Sequence, residues 1–243
     1  MSVVLTVDIG NTRAKYAVFD GEKIDDTGVF DPEGDDLAVL LSRYPSIKRG
    51  IISSVGGHVE ECLSRCGSLE MVVLSDKTRL PFKISLPNTS QIGADRLAAM
   101  ASAAYFKPSK NVLVIDIGTC ITYDILTDDG FYYPGPISPG INLRFKSMHE
   151  HTRLLPLCSP TNNEKHLICK TTQECLEAGV MLGVQYEMEL FIDSYSNIFN
   201  NLDVFLIGGD NIFFENKLKN CIFAESNFIF HGLRYILDYN ENQ

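Results

Sequence analysis

Two short segments of the chain combine a carboxylate, a glycine and a hydroxyl or amide side chain, the groups from which phosphate sites are built. The first, residues 8–15, reads DIGNTRAK, and the second, residues 116–119, reads DIGT. Glycine lets backbone N–H groups approach an oxyanion, and aspartate can hold a hydrated divalent cation against the same phosphate. Because Lys15 adds a positive charge, we expect the first segment to bind the outer phosphates of ATP.

The two segments occupy equivalent places in a repeated pattern. In each copy an apolar run ends in Asp-x-Gly and strand-like residues follow, which predicts a hairpin with a polar tip. A single hairpin of this kind can be an ordinary turn that binds no ligand. Two equivalent copies instead indicate a duplicated phosphate-binding half, with one nucleotide held between two lobes. Val4, Leu5, Asp8, Ile9 and Gly10 recur in order as Val112, Leu113, Asp116, Ile117 and Gly118.

A third candidate site lies between the two loops, where Gly93, Ala94, Asp95 and Arg96 precede an alanine-rich helix predicted over 97–106. Neighbouring residues of a helix point in different directions, so Asp95 and Arg96 do not satisfy each other. In one interpretation Asp95 is a general base for a substrate hydroxyl, and the Arg96 guanidinium group binds a substrate carboxylate through two parallel hydrogen bonds. The other makes Asp95 a favourable charge at a helix N-terminus.

Gly208, Gly209 and Asp210 follow a fully apolar strand. Two glycines allow a sharp turn and leave a flat backbone shelf against which a purine could lie. A strand-to-helix turn with Asp210 as N-cap accounts for the same residues without a ligand.

The elements that must position these residues alternate between strands and helices. Period-2 patterns and short apolar runs predict hairpins over 3–19 and 112–126, and apolar residues spaced by 3 or 4 predict a long helix over 172–198. The alternation indicates an α/β fold. Further strands are predicted at 50–54, 71–74 and 204–207, and further helices at 37–44, 59–66 and 228–239.

The chain is long enough for two lobes. The Lys-Pro-Ser sequence at 107–109 follows the alanine-rich helix and precedes the repeated strand. We therefore expect an N-terminal lobe at 1–108 and a C-terminal lobe at 109–243. In the second lobe, prolines and glycines break up residues 134–140 into a shaped loop before a helix that begins at Ile141.

The composition of the chain restricts the classes of partner that it can bind. The formal net charge of −10 disfavours binding to nucleic acid or to an anionic membrane, and the chain has neither a long apolar run nor a signal-peptide core. The seven cysteines have no zinc-site spacing and are expected to be reduced thiols. We expect a cytoplasmic protein.

Taken together, these motifs resemble those of the type III pantothenate kinases, within the superfamily of actin, sugar kinases and heat-shock chaperones. Gly-Ala-Asp-Arg between two phosphate loops is the most specific feature, and the matching motifs span nearly the whole chain. The matching segments are residues 8–15, 93–96, 116–119 and 134–140, Thr172 seven residues before Gly179, and residues 208–210.

The resemblance implies two duplicated ribonuclease H-like lobes with a nucleotide cleft between them. It also implies phosphorylation of pantothenate by ATP, the first step of coenzyme A biosynthesis. Asp95 would accept the proton, and pantothenate would contact Gly93, Ala94, Asp95, Arg96 and Thr172. The implied ATP-binding residues are Asp8, Ile9, Gly10, Asn11, Thr12, Arg13, Ala14, Lys15 and Thr119; Gly208 and Gly209 are predicted on the adenosine side.

The resemblance also implies cations and a second subunit. Asp116 would bind a monovalent cation, K⁺ or NH₄⁺, and Mg²⁺ would accompany ATP, held near Asp8 through water. A homodimer is expected, with residues 134–156 at or near the contact. Two positions depart from the family: Leu86 stands where a tyrosine is usual, and Thr171 stands where an asparagine usually precedes the substrate threonine.

Two other functions are compatible with the same motifs. One is another small-molecule kinase of the superfamily, against which Arg96 argues because it favours a carboxylated acceptor. The other is a nucleotide-binding regulator that acts through a partner, against which the placement of Asp95 beside an acceptor pocket argues. Measuring whether ATP turnover depends on pantothenate distinguishes these two functions from a pantothenate kinase.

Overall fold

The protein has a mixed α/β fold in a computed structural model that describes residues 3–87, 89–214, 217–218, 222–223 and 227–241. Two single-turn 3-10 helices lie at Thr89–Gln91 and Asn211–Phe214. The strands are β1 (Val3–Ile9), β2 (Ala14–Asp20), β3 (Lys23–Phe30), β4 (Arg49–Ser54), β5 (Glu70–Val73), β6 (Lys83–Ile84), β7 (Val112–Ile117), β8 (Cys120–Leu126), β9 (Phe131–Tyr133), β10 (Ile137–Pro139), β11 (Asp203–Ile207) and β12 (Ile222–Phe223). The helices are α1 (Asp36–Arg43), α2 (Val59–Arg65), α3 (Ala94–Phe106), α4 (Ile141–Glu150), α5 (Thr172–Ile198) and α6 (Phe228–Glu241).

The chain divides into two compact units. The first comprises Met1–Ser109, Asp129–Tyr133 and Asn227–Gln243, and the second comprises Lys110–Asp128 and Pro134–Ser226. The end of the chain therefore lies in the same unit as its beginning. The predicted lobe boundary between residues 108 and 109 stays a prediction.

The first unit is built on a five-stranded sheet in the order β3-β2-β1-β4-β5. β1 pairs with β2 antiparallel and with β4 parallel, and both faces of β1 are covered, which explains its nearly continuous apolar sequence. Leu5, Val7 and Ile9 pack with Leu37 of α1 and Cys62 of α2, while α6 contacts β1 and β4. The predicted first hairpin is confirmed.

Strand β3 was not anticipated, because its sequence is polar. It pairs with β2 at the edge of the sheet, and along it exposed residues alternate with less exposed ones. An edge strand with one solvated face needs few apolar residues. The sequence pattern around charged residues such as Asp25 therefore predicts a loop, although these residues belong to a strand.

Helices α3 and α6 pack closely in the first unit through small residues. A Cβ atom at Gly232 of α6 would collide with the carbonyl oxygen of Ala98. The Ser102 hydroxyl donates a hydrogen bond of 2.6 Å to the carbonyl oxygen of Phe228. Glycine, alanine and serine at this contact let the two backbones approach, which secures the C-terminal helix.

The second unit repeats the arrangement of the first. β7 pairs antiparallel with β8 and parallel with β11, as β1 pairs with β2 and β4. β12 continues the sheet beyond β11, and β10 pairs with β8. The long helix α5 has the predicted bounds, and its Val180, Val184 and Met188 belong to the unit's core. The duplication inferred from the repeated motif is confirmed at the level of strand pairing.

Across the part of the chain that the structure describes, no helix has the length and apolarity needed to cross a membrane.

Candidate active site

The first phosphate loop joins β1 to β2. Asp8 lies directly opposite Lys15 in the antiparallel pair, and the N–H group of Gly10 donates a 3.0 Å hydrogen bond to the carbonyl oxygen of Arg13, which closes the turn. Asn11 and Thr12 are exposed at the tip. The loop therefore presents amide and hydroxyl groups beside one carboxylate and one lysine, as the sequence suggested.

Asp8 is held by the neighbouring parallel strand. Its register partner on β4 is Ser53, a fully buried residue whose hydroxyl donates a 2.7 Å hydrogen bond to Asp8 Oδ1. Burial raises the pKa of Asp8, and the negative charge of Asp95 raises it further; the Ser53 hydrogen bond and the positive charge of Lys15 act in the opposite direction. When a carboxylate loses hydration in this way, a nearby cation stabilises its ionised form.

The segment after β4 forms a wall of the first loop. The N–H groups of Val55 and Gly56 both donate to the carbonyl oxygen of Ile9, at 3.0 and 3.3 Å. A Cβ atom at Gly56 would lie 2.5 Å from the carbonyl oxygen of Gly10. Any larger residue at position 56 would therefore displace the phosphate loop.

The Gly-Ala-Asp-Arg motif forms the N-terminus of α3, with Gly93 as N-cap. Asp95 Oδ1 accepts a 2.8 Å hydrogen bond from the N–H group of Arg96. A Cβ atom at Gly93 would lie 2.5 Å from that same oxygen. Glycine is thus required for the Asp95 carboxylate to lie over the first turn of the helix.

Asp95 therefore fits both interpretations made from the sequence. Its carboxylate contacts the helix N-terminus, which is the structural role. The motif also lies beside the first phosphate loop, because a Cβ atom at Gly93 would lie 3.4 Å from Val55 Cγ1 and the Val55 N–H group donates to the carbonyl oxygen of Ile9. Asp95 and Arg96 are both half-buried.

A cavity of about 270 Å³ adjoins this motif in the first unit. Its volume is near the lower end of the range for small-molecule sites, roughly 300 Å³. Apart from Val55, Leu74, Ile92 and Leu97, its lining is small or polar. The remaining residues are Ser54, Ser75, Asp76, Thr89, Ser90, Gly93 and Ala94.

The second phosphate loop lies between β7 and β8. Asp116 is half-buried and Thr119 is exposed at the tip, where the N–H group of Gly118 donates to the carbonyl oxygen of Cys120 at 3.0 Å. The loop is shorter than the first. Its aspartate and hydroxyl residue are nonetheless presented at the corresponding end of the sheet.

Two glycine-containing segments pack against the second loop. Gly208 has φ of 95°, and a Cβ atom there would lie 2.5 Å from Asp116 Oδ1. The N–H group of Gly140 donates to the carbonyl oxygen of Thr119 at 3.0 Å, and a Cβ atom at Gly140 would collide with that carbonyl. Gly209 is open, since no described atom outside its chain neighbours lies within 4 Å of a Cβ built there.

Thr172 is the first residue of α5 and is exposed. The preceding Thr171, at the position where asparagine is usual, caps the helix by accepting a 3.1 Å hydrogen bond from the N–H group of Glu174. Threonine and asparagine both serve as N-caps. Thr172 lies in the second unit, whereas residues 93–96 lie in the first.

Asp8 and Asp116 suit cations that take only one or two protein carboxylates as ligands. Among the described residues, no three His, Cys, Asp or Glu side chains form a metal-binding group. Mg²⁺ at nucleotide sites needs only one or two carboxylates besides water and phosphate. Asp8 fits this requirement, and Asp116, beside backbone carbonyl groups, offers the oxygen ligands that a monovalent cation would use.

Sequence reasoning missed Ser53 and Gly56. A signal was present, because an apolar strand ends in Ser53-Ser54 and is followed by Val55-Gly56-Gly57, much as the apolar runs before the phosphate loops end in polar residues and glycine. Recognising it required knowing that β4 lies parallel to β1, so that the carboxyl ends of the two strands meet.

Comparison with known proteins agrees with the resemblance seen in the sequence. A family model described as type III pantothenate kinase matches residues 4–194. A type III pantothenate kinase from Christiangramia forsetii is 39% identical over 244 residues, covering 98% of this chain and 99% of the relative.

Solved structures share the fold at low sequence identity. A Campylobacter jejuni protein described as a conserved Baf family transcriptional activator has a TM-score of 0.64 and 22% identity, covering 98% of this chain and all of that one (100%). A Sinorhizobium meliloti protein described as a 2-dehydro-3-deoxygalactonokinase has a TM-score of 0.60 and 12% identity, with 99% and 100% coverage. These likenesses and the repeated strand pairing confirm the predicted α/β fold with two duplicated lobes.

Proposed function

The chain belongs to the type III pantothenate kinase family and phosphorylates pantothenate in coenzyme A biosynthesis, and we propose which residues carry out this reaction. The proposal rests on the contact between the Gly-Ala-Asp-Arg motif and the first phosphate loop: a Cβ atom at Gly93 would lie 3.4 Å from Val55 Cγ1, and the Val55 N–H group donates to the carbonyl oxygen of Ile9. A carboxylate suited to accept a proton lies near the loop suited to hold the phosphates.

ATP binds through both phosphate loops. Residues 8–15 present backbone N–H groups, the side chains of Asn11 and Thr12, and Lys15. Thr119 adds a hydroxyl group, and Gly208 and Gly209 give the adenosine an open backbone surface. Support comes from the positions of these residues, at loop tips or beside the second loop.

Asp95 accepts the proton of the pantothenate hydroxyl group. The hydroxyl oxygen attacks the γ-phosphorus in line, a new P–O bond forms, and the bond between the γ-phosphorus and the β–γ bridging oxygen breaks to leave ADP. Most of the rate enhancement comes from positioning and charge stabilisation. The hydrogen bond from the Arg96 N–H group keeps the Asp95 carboxylate in a defined orientation.

Pantothenate binds at the cavity beside Gly93 and Ala94. The lining supplies hydroxyl groups and apolar walls for a small polar molecule. Arg96 pairs with the pantothenate carboxylate, because a guanidinium group binds a carboxylate through two parallel hydrogen bonds. Thr172 supplies a further hydroxyl contact.

Two cations take part. Asp8 would hold Mg²⁺ through water, and Asp116 would hold a monovalent cation, K⁺ or NH₄⁺. When bound, they offset the negative charge of the triphosphate. Cations are needed at this site because the protein itself carries a net charge of −10 and so does not offset the charge of the triphosphate.

The active form is a homodimer in the cytoplasm. Tyr186 and Leu190 are one turn apart on α5 and are 46% and 67% exposed; Leu143 of α4 and Ile137 of β10 are 41% and 62% exposed. Contiguous exposed apolar side chains are typical of subunit contacts, and α4 and α5 pack against each other. The acidic charge argues against nucleic acid and anionic membranes as partners.

The decisive measurement is ATP turnover with and without pantothenate. We expect phosphate transfer to depend on pantothenate, with formation of phosphopantothenate in equal amount to ADP. A regulator would turn over ATP slowly regardless of pantothenate. A kinase for another acceptor would respond to that acceptor and not to pantothenate.

A further inference from the structure

A partly buried ion pair in the second unit joins helices α4 and α5. Arg144 Nη2 lies 2.6 Å from Glu187 Oε2, and the Tyr123 hydroxyl donates to Glu187 Oε1 at 2.8 Å. The side chains of Arg144 and Glu187 are 22% and 24% exposed. Both carboxylate oxygens of Glu187 are therefore occupied by donors.

The same arginine holds the segment before α4. Arg144 Nε donates to the carbonyl oxygen of Pro139 at 2.8 Å, and Nη2 donates to Ser138 Oγ at 2.7 Å. One guanidinium group thus binds two successive residues of β10 and one carboxylate on α5. A lysine could not bind all three, because it lacks the planar fork.

That segment ends on the second phosphate loop. Gly140 follows Pro139 directly, and its N–H group donates to the Thr119 carbonyl oxygen at 3.0 Å. No space exists for a side chain at Gly140, where a Cβ atom would collide with the carbonyl groups of Gly118 and Thr119. A shift of Pro139 would be transmitted to the loop because the contact is tight.

Glu187 remains charged at neutral pH. Burial acts to raise its pKa, but hydrogen bonds from Arg144, Tyr123 and Ser138 outweigh burial and leave the pKa below its ordinary value. Burial and the hydrogen bond to Glu187 raise the pKa of Tyr123, which keeps its hydroxyl protonated as a donor. The ion pair is therefore complete throughout the neutral pH range.

We propose that Arg144 and Glu187 are positioning residues for ATP: they hold Pro139 and Gly140 against Thr119, so that the second phosphate loop keeps its binding conformation. The inference rests on the proposed role of Thr119 in ATP binding. Neither residue belongs to the proposed ATP site. Their effect is transmitted through the backbone of residues 138–140.

A second ion pair on the same helix provides a matched control. Lys165 Nζ lies 2.8 Å from Glu177 Oε2, with side chains 8% and 11% exposed. Glu177 and Glu187 both lie on α5, but the described hydrogen bonds of Glu177 run to Thr161, Lys165 and Gln173 and not to residues 138–140. A purely stabilising role predicts similar consequences for both pairs.

The test compares Glu187→Gln and Arg144→Lys with Glu177→Gln. We expect the first two to raise the KM for ATP and the Kd for a non-hydrolysable ATP analogue about 10-fold, the scale of one weakened charge-assisted contact. The KM for pantothenate should change less than about 2-fold. Glu177→Gln should leave the ATP constants near those of the unmodified enzyme even where it lowers the melting temperature.

Gly140→Ala tests the same link without removing the ion pair, and it should weaken ATP binding in the same way. The inference is overturned if Glu187→Gln and Glu177→Gln lower stability alike while ATP affinity is unchanged, or if Gly140→Ala binds the ATP analogue normally. Failure of the proposed function would appear separately, as absence of pantothenate-dependent turnover in the unmodified enzyme.

Discussion

The Ser53 hydroxyl group donates a 2.7 Å hydrogen bond to Oδ1 of Asp8, and it does so between the ends of two neighbouring parallel strands. Asp8 has lost most of its contact with water, which raises its pKa, and Ser53 supplies part of the compensation. The geometry of the first phosphate loop thus depends on a residue from a different strand.

Replacing Ser53 with Ala should shift the acidic limb of the pH profile for kcat/KM with ATP to higher pH. The hydrogen bond lowers the pKa of Asp8, so its loss raises that pKa and the ionised form appears only at higher pH. Initial rates across a pH series test this. Thr6→Val removes another buried hydroxyl hydrogen bond, from Thr6 of β1 to the carbonyl oxygen of Ala17, and should leave the acidic limb in place. An acidic limb that does not move in Ser53→Ala would show that Asp8 does not set it.

Replacing Asp95 with Asn should lower kcat by roughly 10²- to 10⁴-fold, the usual effect of losing a general base. The amide oxygen can still accept from the Arg96 N–H group, so the first turn of α3 is retained. ATP affinity, measured by calorimetry, should change little. A variant that keeps more than about half of the original kcat would restrict Asp95 to its role at the helix N-terminus.

Replacing Arg96 with Leu should raise the KM for pantothenate by roughly 10- to 150-fold, the value of one charge-assisted contact, with a far smaller change for ATP. The variant should also lose its preference for pantothenate over a neutral analogue that lacks the carboxylate. Steady-state kinetics with both acceptors measure this. Equal increases in both KM values would mean that another residue binds the carboxylate.

Activity should require a monovalent cation, because Asp116 offers a carboxylate beside the phosphate loop in an acidic protein. The expected result is loss of turnover in a Tris buffer that contains Mg²⁺ but neither K⁺ nor NH₄⁺, and recovery when KCl is added. Asp116→Asn should abolish the response to K⁺. Full activity without either cation would remove this role from Asp116.

The enzyme should be a homodimer at micromolar concentration. Light scattering should give about twice the chain mass of 27.1 kDa, and Leu190→Asp should lower that mass because it places a charge among exposed apolar side chains. Lys48→Asp is a control, since Lys48 is exposed in the other unit. An active species with the mass of one chain would contradict the dimer.

Local patterns in the sequence were sufficient for the elements and for the ends of the strands. The apolar runs before Asp8 and Asp116 predicted the two hairpins, and spacings of 3 or 4 gave α5 its bounds. These signals are local, because periodicity reflects which face of one element is covered. The residues of the motifs were therefore placed on the correct loops and helix ends.

Contacts between distant segments could be found only in the tertiary structure. Ser53 reaches Asp8 because β4 lies in parallel register with β1, and α6 packs on α3 because Gly232 leaves space for Ala98. Arg144 and Glu187 lie outside the motifs, and only the tertiary structure brings them together and joins Arg144 to the carbonyl oxygen of Pro139. Strand order, register and side-chain packing are set by the summed burial and hydrogen bonding of the whole chain, which no local window of sequence contains.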